Sequence, residues 1–252
     1  MMTHDNAAPV ALITGGTTGI GHATALILHE RGWAVTVTGN NPDTLAAAQK
    51  SLPGDIQIIK ADAKSMNDAN RIAETLKEQF GRVNFAYLNA GISRMLPLEA
   101  VDEAFFDDHF NTNVKGAVFL VQQLLPLLAD GSSVLFTTAV GTERGAPNYS
   151  VSCAAKGAIT GLIPSLAAEL APRGIRVNAI RAGAIDTAAF PKLGLPADVV
   201  DAFRKALPDR LPMARLGRAE EVAGVAAFLA SNAASYITSS VIDVDGGLSH
   251  GF

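Results

Sequence analysis

The feature of this 252-residue sequence that most limits its fold is a regular alternation of two kinds of segment. Short runs rich in valine and isoleucine indicate strands over residues 10–14, 34–38, 56–60, 85–89, 133–137, 176–180 and 241–244. Segments with apolar residues at spacings near 3.6 indicate helices over 21–31, 43–51, 67–80, 105–128, 151–170 and 220–230. Strands that are apolar on both faces and joined by helices predict a parallel sheet covered on both sides. We therefore predict an α/β protein of the Rossmann type, a doubly wound sheet of about seven strands flanked by helices.

One region departs from this alternation. Residues 188–212 carry several prolines and a short helical pattern near 198–207, after the sixth predicted strand. Because ligands of open α/β sheets bind at the carboxyl ends of the strands, this insertion is predicted to be a substrate lid. The alternative is a surface excursion that only packs. No repeat or linker divides the chain, so we expect one domain over residues 9–252 after a short mobile tail, residues 1–8.

Composition and charge narrow the kinds of partner. Apolar residues make up 48% and charged residues 17% of the chain, which is ordinary globular usage. The net charge is −4 and the basic residues are scattered, so we expect neither a nucleic-acid nor a membrane partner. The most apolar stretch, 117–129, is shorter than the roughly 20 residues of a membrane-spanning helix. The single cysteine, Cys153, fits a reducing compartment, and the N-terminus lacks a signal-peptide pattern. We expect a cytoplasmic protein with a small-molecule substrate and assign no metal ligand.

A glycine-rich turn separates the first predicted strand from the first helix. Its sequence is Thr14-Gly15-Gly16-Thr17-Thr18-Gly19-Ile20-Gly21. The glycines allow a tight turn and a close approach of the backbone to a pyrophosphate, whose charge is stabilised by the free amides and positive dipole of the helix. The alternative is a turn that serves packing only, but its position between strand and helix favours nucleotide binding.

The turn resembles the TGxxxGIG motif of the short-chain dehydrogenase/reductase family. Further matches follow in the family's order at Asp62, Asn89-Ala90-Gly91, Asn113, Lys156 and Thr187, so the resemblance covers nearly the whole chain. It implies a nicotinamide dinucleotide cofactor, with Asp62 at the adenine and Thr187 at the nicotinamide carboxamide, while Asn89 combines a cofactor role with a structural one. The implied cofactor-binding residues are Gly15, Thr17, Thr18, Gly19, Ile20, Gly21, Asn40, Asp62, Ala63, Asn89, Ala90, Gly91, Lys156, Gly183, Ile185 and Thr187.

The end of the second predicted strand bears on the choice of cofactor. An acid there would bind the ribose 2′-hydroxyl of NAD(H), whereas a nearby arginine would accept the 2′-phosphate of NADP(H). The sequence Thr38-Gly39-Asn40-Asn41 supplies neither group. Since no carboxylate stands at Asn40 to repel a phosphate, we expect NADP(H) to be preferred over NAD(H).

The catalytic positions implied by the resemblance show one large departure. The family's serine, tyrosine, lysine and asparagine correspond here to Thr138, Ser152, Lys156 and Asn113. Thr138 keeps a hydroxyl, although it could also simply end a strand. Ser152 replaces a phenol whose pKa of about 10 can be lowered by neighbouring cations, whereas an aliphatic hydroxyl is far harder to ionise. The proton can instead come from water, from the substrate or from Tyr149, three residues earlier and on the same face if the helix is continuous.

These features leave two main hypotheses for function. The first is an NAD(P)(H)-dependent oxidoreductase acting on a small alcohol or carbonyl compound, with atypical proton transfer because of Ser152. The alternative is a catalytically silent dinucleotide-binding protein, a sensor or an assembly partner. A non-redox reaction ranks last because the glycine turn is intact. The resemblance also implies a homo-oligomer, a tetramer or a dimer, formed through the helices at 105–128 and 151–170.

Overall fold

A single sheet of parallel strands organises the chain in the computed structural model, which describes residues 7–250. Nine strands occur in this range: β1 Val10–Ile13, β2 Ala34–Gly39, β3 Gln57–Lys60, β4 Val83–Leu88, β5 Leu128–Ala139, β6 Arg176–Ala182, β7 Ile185–Asp186, β8 Gly217–Arg218 and β9 Val241–Val244. Seven of them form the main sheet in the order β3-β2-β1-β4-β5-β6-β9. The order reverses between β1 and β4, and this reversal opens a crevice at the carboxyl ends of the strands. Most of the predicted tail, residues 1–8, lies outside the described residues.

Helices cover both faces of this sheet. Those in residues 7–250 are α1 Gly19–Glu30, α2 Pro42–Ser51, α3 Met66–Phe80, α4 Glu103–Phe110, α5 Gly116–Leu124, α6 Gly141–Arg144, α7 Ser150–Leu170, α8 Ala197–Ala206 and α9 Ala219–Ala230. One core lies between the sheet and α3, α5 and α7, and includes Leu76, Leu124 and Ile163. The other lies between the sheet and α1 and α9, and includes Leu28 and Val222. The predicted doubly wound α/β fold is confirmed. The short pair β7–β8 was outside the predicted strands.

The predicted helix over 105–128 is wrong in two respects. It is interrupted by a π-helical turn, Asn111–Lys115, which separates α4 from α5. It also ends at Leu124, because Pro126 has no N–H with which to continue the helix, and β5 begins at Leu128. A π turn inserts one residue into the helical ladder and is common at functional sites. Here it turns the buried Asn113 side chain toward the loop that follows β4.

Helix α7 is longer than the apolar segment 117–129, and its length and hydropathy are those of a possible membrane span. Among the described residues, the helical stretch Ser150–Arg173 is long and apolar enough to cross a membrane by length and composition alone. Its large apolar side chains, however, lie mainly on one face of the helix. Ile159, Ile163, Ala167 and Leu170 are buried against the sheet, while small residues occupy the opposite side. The helix therefore packs as one side of the core described above.

The predicted lid region folds as a small unit with its own core. A 3₁₀ turn at Phe190–Lys192 leads into α8, and the buried side chains Phe190, Leu193 and Val200 pack together. Tyr149, from the loop before α7, packs against this cluster. The Arg204 guanidinium pairs with the Asp186 carboxylate at 2.6 Å and so joins α8 to β7. The insertion thus lies against the loop that contributes Tyr149.

Candidate functional site

The turn between β1 and α1 has the shape and the free donors that an anion needs. A Cβ atom on Gly21 would lie 2.5 Å from the Gly15 carbonyl oxygen and 2.8 Å from Asn89 Nδ2. Gly15 and Gly19 adopt positive φ angles of 64° and 56°, which favour glycine. Thr18 precedes α1 without capping it by its side chain. The first-turn amides, at Gly19 and Ile20 among others, are therefore available to a phosphate group.

A cleft continues from this turn along the carboxyl ends of β2, β3 and β4. It is lined, among others, by Thr14, Thr38, Ala61, Asp62, Ala63, Leu88, Ala90 and Thr112. Asp62 sits in a tight turn, where its carboxylate accepts from Lys64 N at 3.1 Å. Asn40 is exposed directly after β2, and its neighbour Asn41 caps α2 by accepting from Asp43 N and Thr44 N. The predicted residues Asp62, Ala63 and Ala90 are thus brought together.

Two further predicted residues shape the walls of the cleft. Asn89 Nδ2 donates to the carbonyl oxygens of Thr14 and Gly15, at 3.1 and 3.3 Å, and Asn89 Oδ1 accepts from Thr137 Oγ1 at 3.1 Å. Asn89 therefore joins β1, β4 and β5, as its predicted structural role requires. Thr17 Oγ1 lies 3.2 Å from Thr44 Oγ1 and leaves no room for a side chain on Gly39. Thr17 thereby holds α2 against the glycine turn.

The opposite side of the cleft comes from the segment after β6. Thr187 lies directly across from the glycine turn, because a Cβ atom on Gly19 would be 3.3 Å from the Thr187 side chain. Gly183 contacts Asp245 so closely that a Cβ atom would lie 2.5 Å from its Cα. Ile185 is 8% exposed and belongs to the core. Thr187 thus lies against the glycine turn, whereas the contacts of Gly183 and Ile185 are structural.

The residues present fit a dinucleotide. The glycine turn offers an uncapped helix terminus for a pyrophosphate, and the adjoining cleft lies at the point where the strand order reverses. Neither feature suits a metal ion, and no group of three or more His, Cys, Asp or Glu side chains in residues 7–250 could hold one.

Lys156 and Asn113 meet beside Gly91. A Cβ atom on Gly91 would lie 2.6 Å from Asn113 Oδ1 and 2.9 Å from Lys156 Nζ. The Lys156 ammonium donates to the Thr137 carbonyl at 3.0 Å and is buried, and this burial lowers its pKa to about 8. The Asn113 amide forms two hydrogen bonds with Ile92, since Oδ1 accepts from Ile92 N and Nδ2 donates to Ile92 O. Asn113 therefore holds the loop after Gly91.

Three hydroxyl groups lie together at the start of α7. Ser152 is 1% exposed, and its Oγ lies 3.1 Å from Ser93 Oγ. Ser93 Oγ also forms a hydrogen bond with the Tyr149 hydroxyl. Tyr149 is the residue directly before α7, and burial raises the pKa of its phenol, an effect that the Ser93 hydrogen bond opposes. We refer to Ser93, Tyr149 and Ser152 as the hydroxyl cluster.

Ser93 is the member of this cluster to which the sequence pattern assigned no role in proton transfer. Its only sequence signal is a hydroxyl placed two residues after Asn89-Ala90-Gly91. The contact with Tyr149 joins positions that are 56 residues apart, and no local spacing rule reaches that far.

The contacts of Thr138 are with α7 and not with the hydroxyl cluster. Its Oγ1 donates to the Lys156 carbonyl at 3.1 Å and lies 3.3 Å from Thr160 Oγ1, and the residue is 1% exposed. In this structure the hydroxyl ties β5 to α7. The predicted role of Thr138 in holding the substrate oxygen stays a prediction.

Comparisons with known proteins cover nearly the whole chain. A family model described as enoyl-(acyl carrier protein) reductase matches residues 15–249. The oxidoreductase asL5 of Sarocladium schorii is 36% identical over 94% of this chain and 94% of its own length. The 3-oxoacyl-(acyl-carrier-protein) reductase FabG of Thermotoga maritima is 35% identical over 95% of this chain and 97% of its own length.

Solved structures agree with this result. A 3-ketoacyl-(acyl-carrier-protein) reductase from Brucella melitensis, solved as a complex with NADH, aligns with a TM-score of 0.87 and 30% identity. The alignment covers 96% of this chain and 98% of that one. A short-chain dehydrogenase/reductase from the same organism gives a TM-score of 0.88 and 32% identity over 95% of this chain and 96% of that one.

Proposed function

The chain belongs to the short-chain dehydrogenase/reductase family, and on this premise we propose that it is an NAD(P)(H)-dependent oxidoreductase that interconverts a small alcohol and the corresponding carbonyl compound. The observation that carries the proposal is the hydroxyl cluster, whose member Ser152 lies one helical turn from Lys156. Ser152 and Lys156 are four residues apart on α7 and so share a face of the helix. The Lys156 ammonium lies beside Gly91, and Gly91 belongs to the same loop as Ser93.

Tyr149 is the proposed proton donor in carbonyl reduction. A bound nicotinamide supplies the hydride in this direction and accepts it in the reverse one. The substrate oxygen then needs a proton, and Tyr149 carries the phenol in the hydroxyl cluster. A phenol is several pK units more acidic than the aliphatic hydroxyl of Ser152. Tyr149 thus takes over the chemistry lost at position 152, by reaching the site from the residue before the helix.

The proposed cofactor is NADP(H) in preference to NAD(H). Its support is the absence of a carboxylate at Gly39, the last residue of β2, and at Asn40, which follows it. The preference is tested by the dissociation constants of both reduced cofactors. Asn40→Asp is expected to weaken NADPH binding, because a new carboxylate would repel the 2′-phosphate, and to leave NADH binding unchanged or tighter. Equal effects on both cofactors would contradict this preference.

The names of the relatives suggest which carbonyl compounds should be tested as substrates. Two of those named above are 3-oxoacyl- or 3-ketoacyl-(acyl-carrier-protein) reductases. Compounds with a second carbonyl two carbons away therefore head the panel, followed by simple ketones and aldehydes. We further propose a cytoplasmic location, supported by the single cysteine, and a homo-oligomer.

The experiment follows the absorbance of the reduced cofactor with this panel in three proteins: the natural chain, Tyr149→Phe and Ser152→Tyr. The natural chain is expected to turn over at least one carbonyl compound. Tyr149→Phe should lower the rate constant kcat by about 10²–10⁴-fold, the usual contribution of a general acid, without changing cofactor affinity. If the natural chain binds cofactor but turns over nothing while Ser152→Tyr is active, the protein is the silent dinucleotide-binding alternative.

A further inference from the structure

The loop that carries Ser93 is held at almost every backbone amide around it. Ile92 N donates to Asn113 Oδ1 at 2.8 Å, and Arg94 N donates to His109 Nε2 at 3.3 Å. Met95 N donates to the Leu193 carbonyl at 2.8 Å, and Leu96 N donates to the Asn148 carbonyl at 2.7 Å. The π turn, α4, the lid and the residue before Tyr149 each contribute one of these acceptors. Ser93 Oγ is therefore fixed relative to both Tyr149 and Ser152.

The side chain of His109 is one of the groups that hold this loop in place. The residue is fully buried, its Nδ1 lies 2.8 Å from the Phe105 carbonyl, and burial lowers the pKa of the imidazole. The neutral ring donates from Nδ1 and accepts the Arg94 amide at Nε2. Burying a polar imidazole costs free energy unless both of its nitrogens are hydrogen-bonded. His109 meets this condition by accepting the Arg94 amide, and in doing so it fixes the position of the loop that carries Ser93.

Ser93 is placed to act on the phenol. Its oxygen bridges the Tyr149 hydroxyl on one side and Ser152 Oγ, 3.1 Å away, on the other. A serine hydroxyl has one donor and two acceptor positions, so it can donate to a phenolate and accept from a second hydroxyl at the same time. Donation to the phenolate stabilises the charged form of Tyr149 and thus opposes the rise in its pKa caused by burial.

We propose that Ser93 is a positioning residue that fixes the Tyr149 phenol and relays a proton to it from Ser152. The inference rests on the proposed function above and assigns the role to a residue on the loop after β4.

In carbonyl reduction, each group of the relay gives up one proton and receives one. The carbonyl carbon gains the hydride, its π electrons move to oxygen, and that oxygen takes the Tyr149 proton. The phenolate oxygen takes the Ser93 proton and Ser93 takes the Ser152 proton. Ser152 is reprotonated through water by the Lys156 ammonium, one turn farther along α7, and the resulting amine takes one proton from solvent, so the cycle consumes one solvent proton per hydride. A Lys156 pKa near 8 allows the ammonium to give up this proton at physiological pH.

The first test uses no turnover. Residues 7–250 hold three tyrosines, of which Tyr236 is fully exposed and Tyr87 is fully buried, with a pKa raised by that burial. In an absorbance titration of a Tyr236→Phe background we expect Tyr149 to ionise before Tyr87, because Tyr149 is less deeply buried and its Ser93 hydrogen bond opposes the rise in its pKa. Ser93→Ala should move this transition to higher pH, and Ser93→Thr should restore it. Ser150→Ala, an exposed serine in the same helical turn, is the matched control.

The second test measures steady-state kinetics and the pH profile with the best carbonyl substrate. Ser93→Ala should lower kcat by about 10- to 100-fold with an unchanged cofactor dissociation constant, and Ser93→Thr should recover most of the rate. An unchanged tyrosinate transition in Ser93→Ala overturns the proposed contact, and a shifted transition with an unchanged kcat overturns the relay.

Different results would contradict the proposed function and the proposed role of Ser93. If Tyr149→Phe abolishes turnover and Ser93→Ala does not, the function stands and the relay is wrong. If the natural chain turns over no substrate, the function is wrong and the relay with it, while the titration still decides whether Ser93 holds the phenol.

Discussion

At the residue scale, Gly21 shows how the cofactor turn depends on the absence of a side chain. A Cβ atom there would lie 2.5 Å from the Gly15 carbonyl oxygen and 2.9 Å from Gly16 Cα, and both of these are backbone atoms that cannot move aside as a side-chain end could. Gly21→Ala is expected to raise the dissociation constant of the reduced cofactor at least tenfold, since a shift of the turn costs more than about 1.4 kcal/mol. Fluorescence titration with NADPH measures this.

The matched control for Gly21→Ala is Gly224→Ala on α9. No heavy atom lies within 4 Å of a Cβ placed on Gly224. This substitution should leave cofactor binding unchanged and raise the free energy of unfolding by about 0.5–1 kcal/mol, the ordinary gain of alanine over glycine in a helix. Equal cofactor affinity in the two variants would mean that the turn adapts and the overlap has no consequence.

Lys156 gives the protein a pH dependence of stability. Burial lowers its pKa from 10.5 to about 8, so the unfolded chain binds more protons than the folded chain between these values. The free energy of unfolding should therefore rise with pH from about 8 to 10.5 and gain nothing from this residue below pH 8, where both states are protonated. Lys156→Met should remove this rise, which is on the order of 2–4 kcal/mol.

Urea unfolding of the natural chain and of Lys156→Met at several pH values measures the difference. Other alkaline groups titrate in both proteins and cancel. A difference between the two proteins that does not change between pH 8 and 10 would show that the ammonium is solvated in the folded state. Turnover in Lys156→Met should fall in every case, because the ammonium ends the proposed proton path.

At the element scale, the predicted lid, residues 188–212, has a small hydrophobic cluster apart from the two main cores. Phe203 on α8 packs against Phe190, Leu193 and Val200, whereas Val199 on the same helix is 44% exposed. Phe203→Ser should cost about 1–3 kcal/mol of local stability. Because this core is small and separate, we expect the lid to open while the sheet stays folded.

Limited trypsin digestion detects such opening, because the lid contains Lys192, Arg204, Lys205 and Arg210. Cleavage within the lid should be several-fold faster in Phe203→Ser than in the natural chain, and unchanged in Val199→Ser. Global unfolding at a lower temperature without selective cleavage would show that the lid is part of the main cooperative unit. Tyr149 packs on the same cluster, so turnover should fall with lid opening.

At the scale of the whole molecule, the outer face of α7 is made of small residues that are exposed in one copy of the chain. Ala154, Ala158 and Gly161 lie along this face, and the partly exposed Phe106 and Phe119 belong to the neighbouring α4 and α5. Small side chains allow two helices to approach closely, which suits the proposed homo-oligomer. Ala158→Arg should reduce the mass measured by light scattering to half or less.

The control for this variant is Ala47→Arg on the exposed face of α2, which should leave the mass unchanged. A natural chain that is monomeric at micromolar concentration would contradict the proposed oligomer. A mass that Ala158→Arg does not change would place the contact on another face.

The sequence by itself determined the doubly wound sheet and the cofactor turn. Both follow from local chemistry: strand and helix periods from side-chain spacing, and the turn from glycines placed between a strand and a helix. It also identified Ser152 as the place where the family's phenol is missing, and Tyr149 as one candidate to replace it. It did not find the break in the helix over 105–128, because a π turn at Asn113 leaves the apolar spacing almost unchanged.

Only the tertiary structure decided which groups meet. Ser93 and Tyr149 are 56 residues apart, and Thr138 turns its hydroxyl to the Lys156 carbonyl although its position in the sequence suits a substrate contact. Such pairings depend on the order of the strands, the register of β5 and the anchoring of the loop after β4 by four separate elements. The physical reason is that hydrogen bonds between side chains act over about 3 Å, and only the packed fold sets distances on that scale.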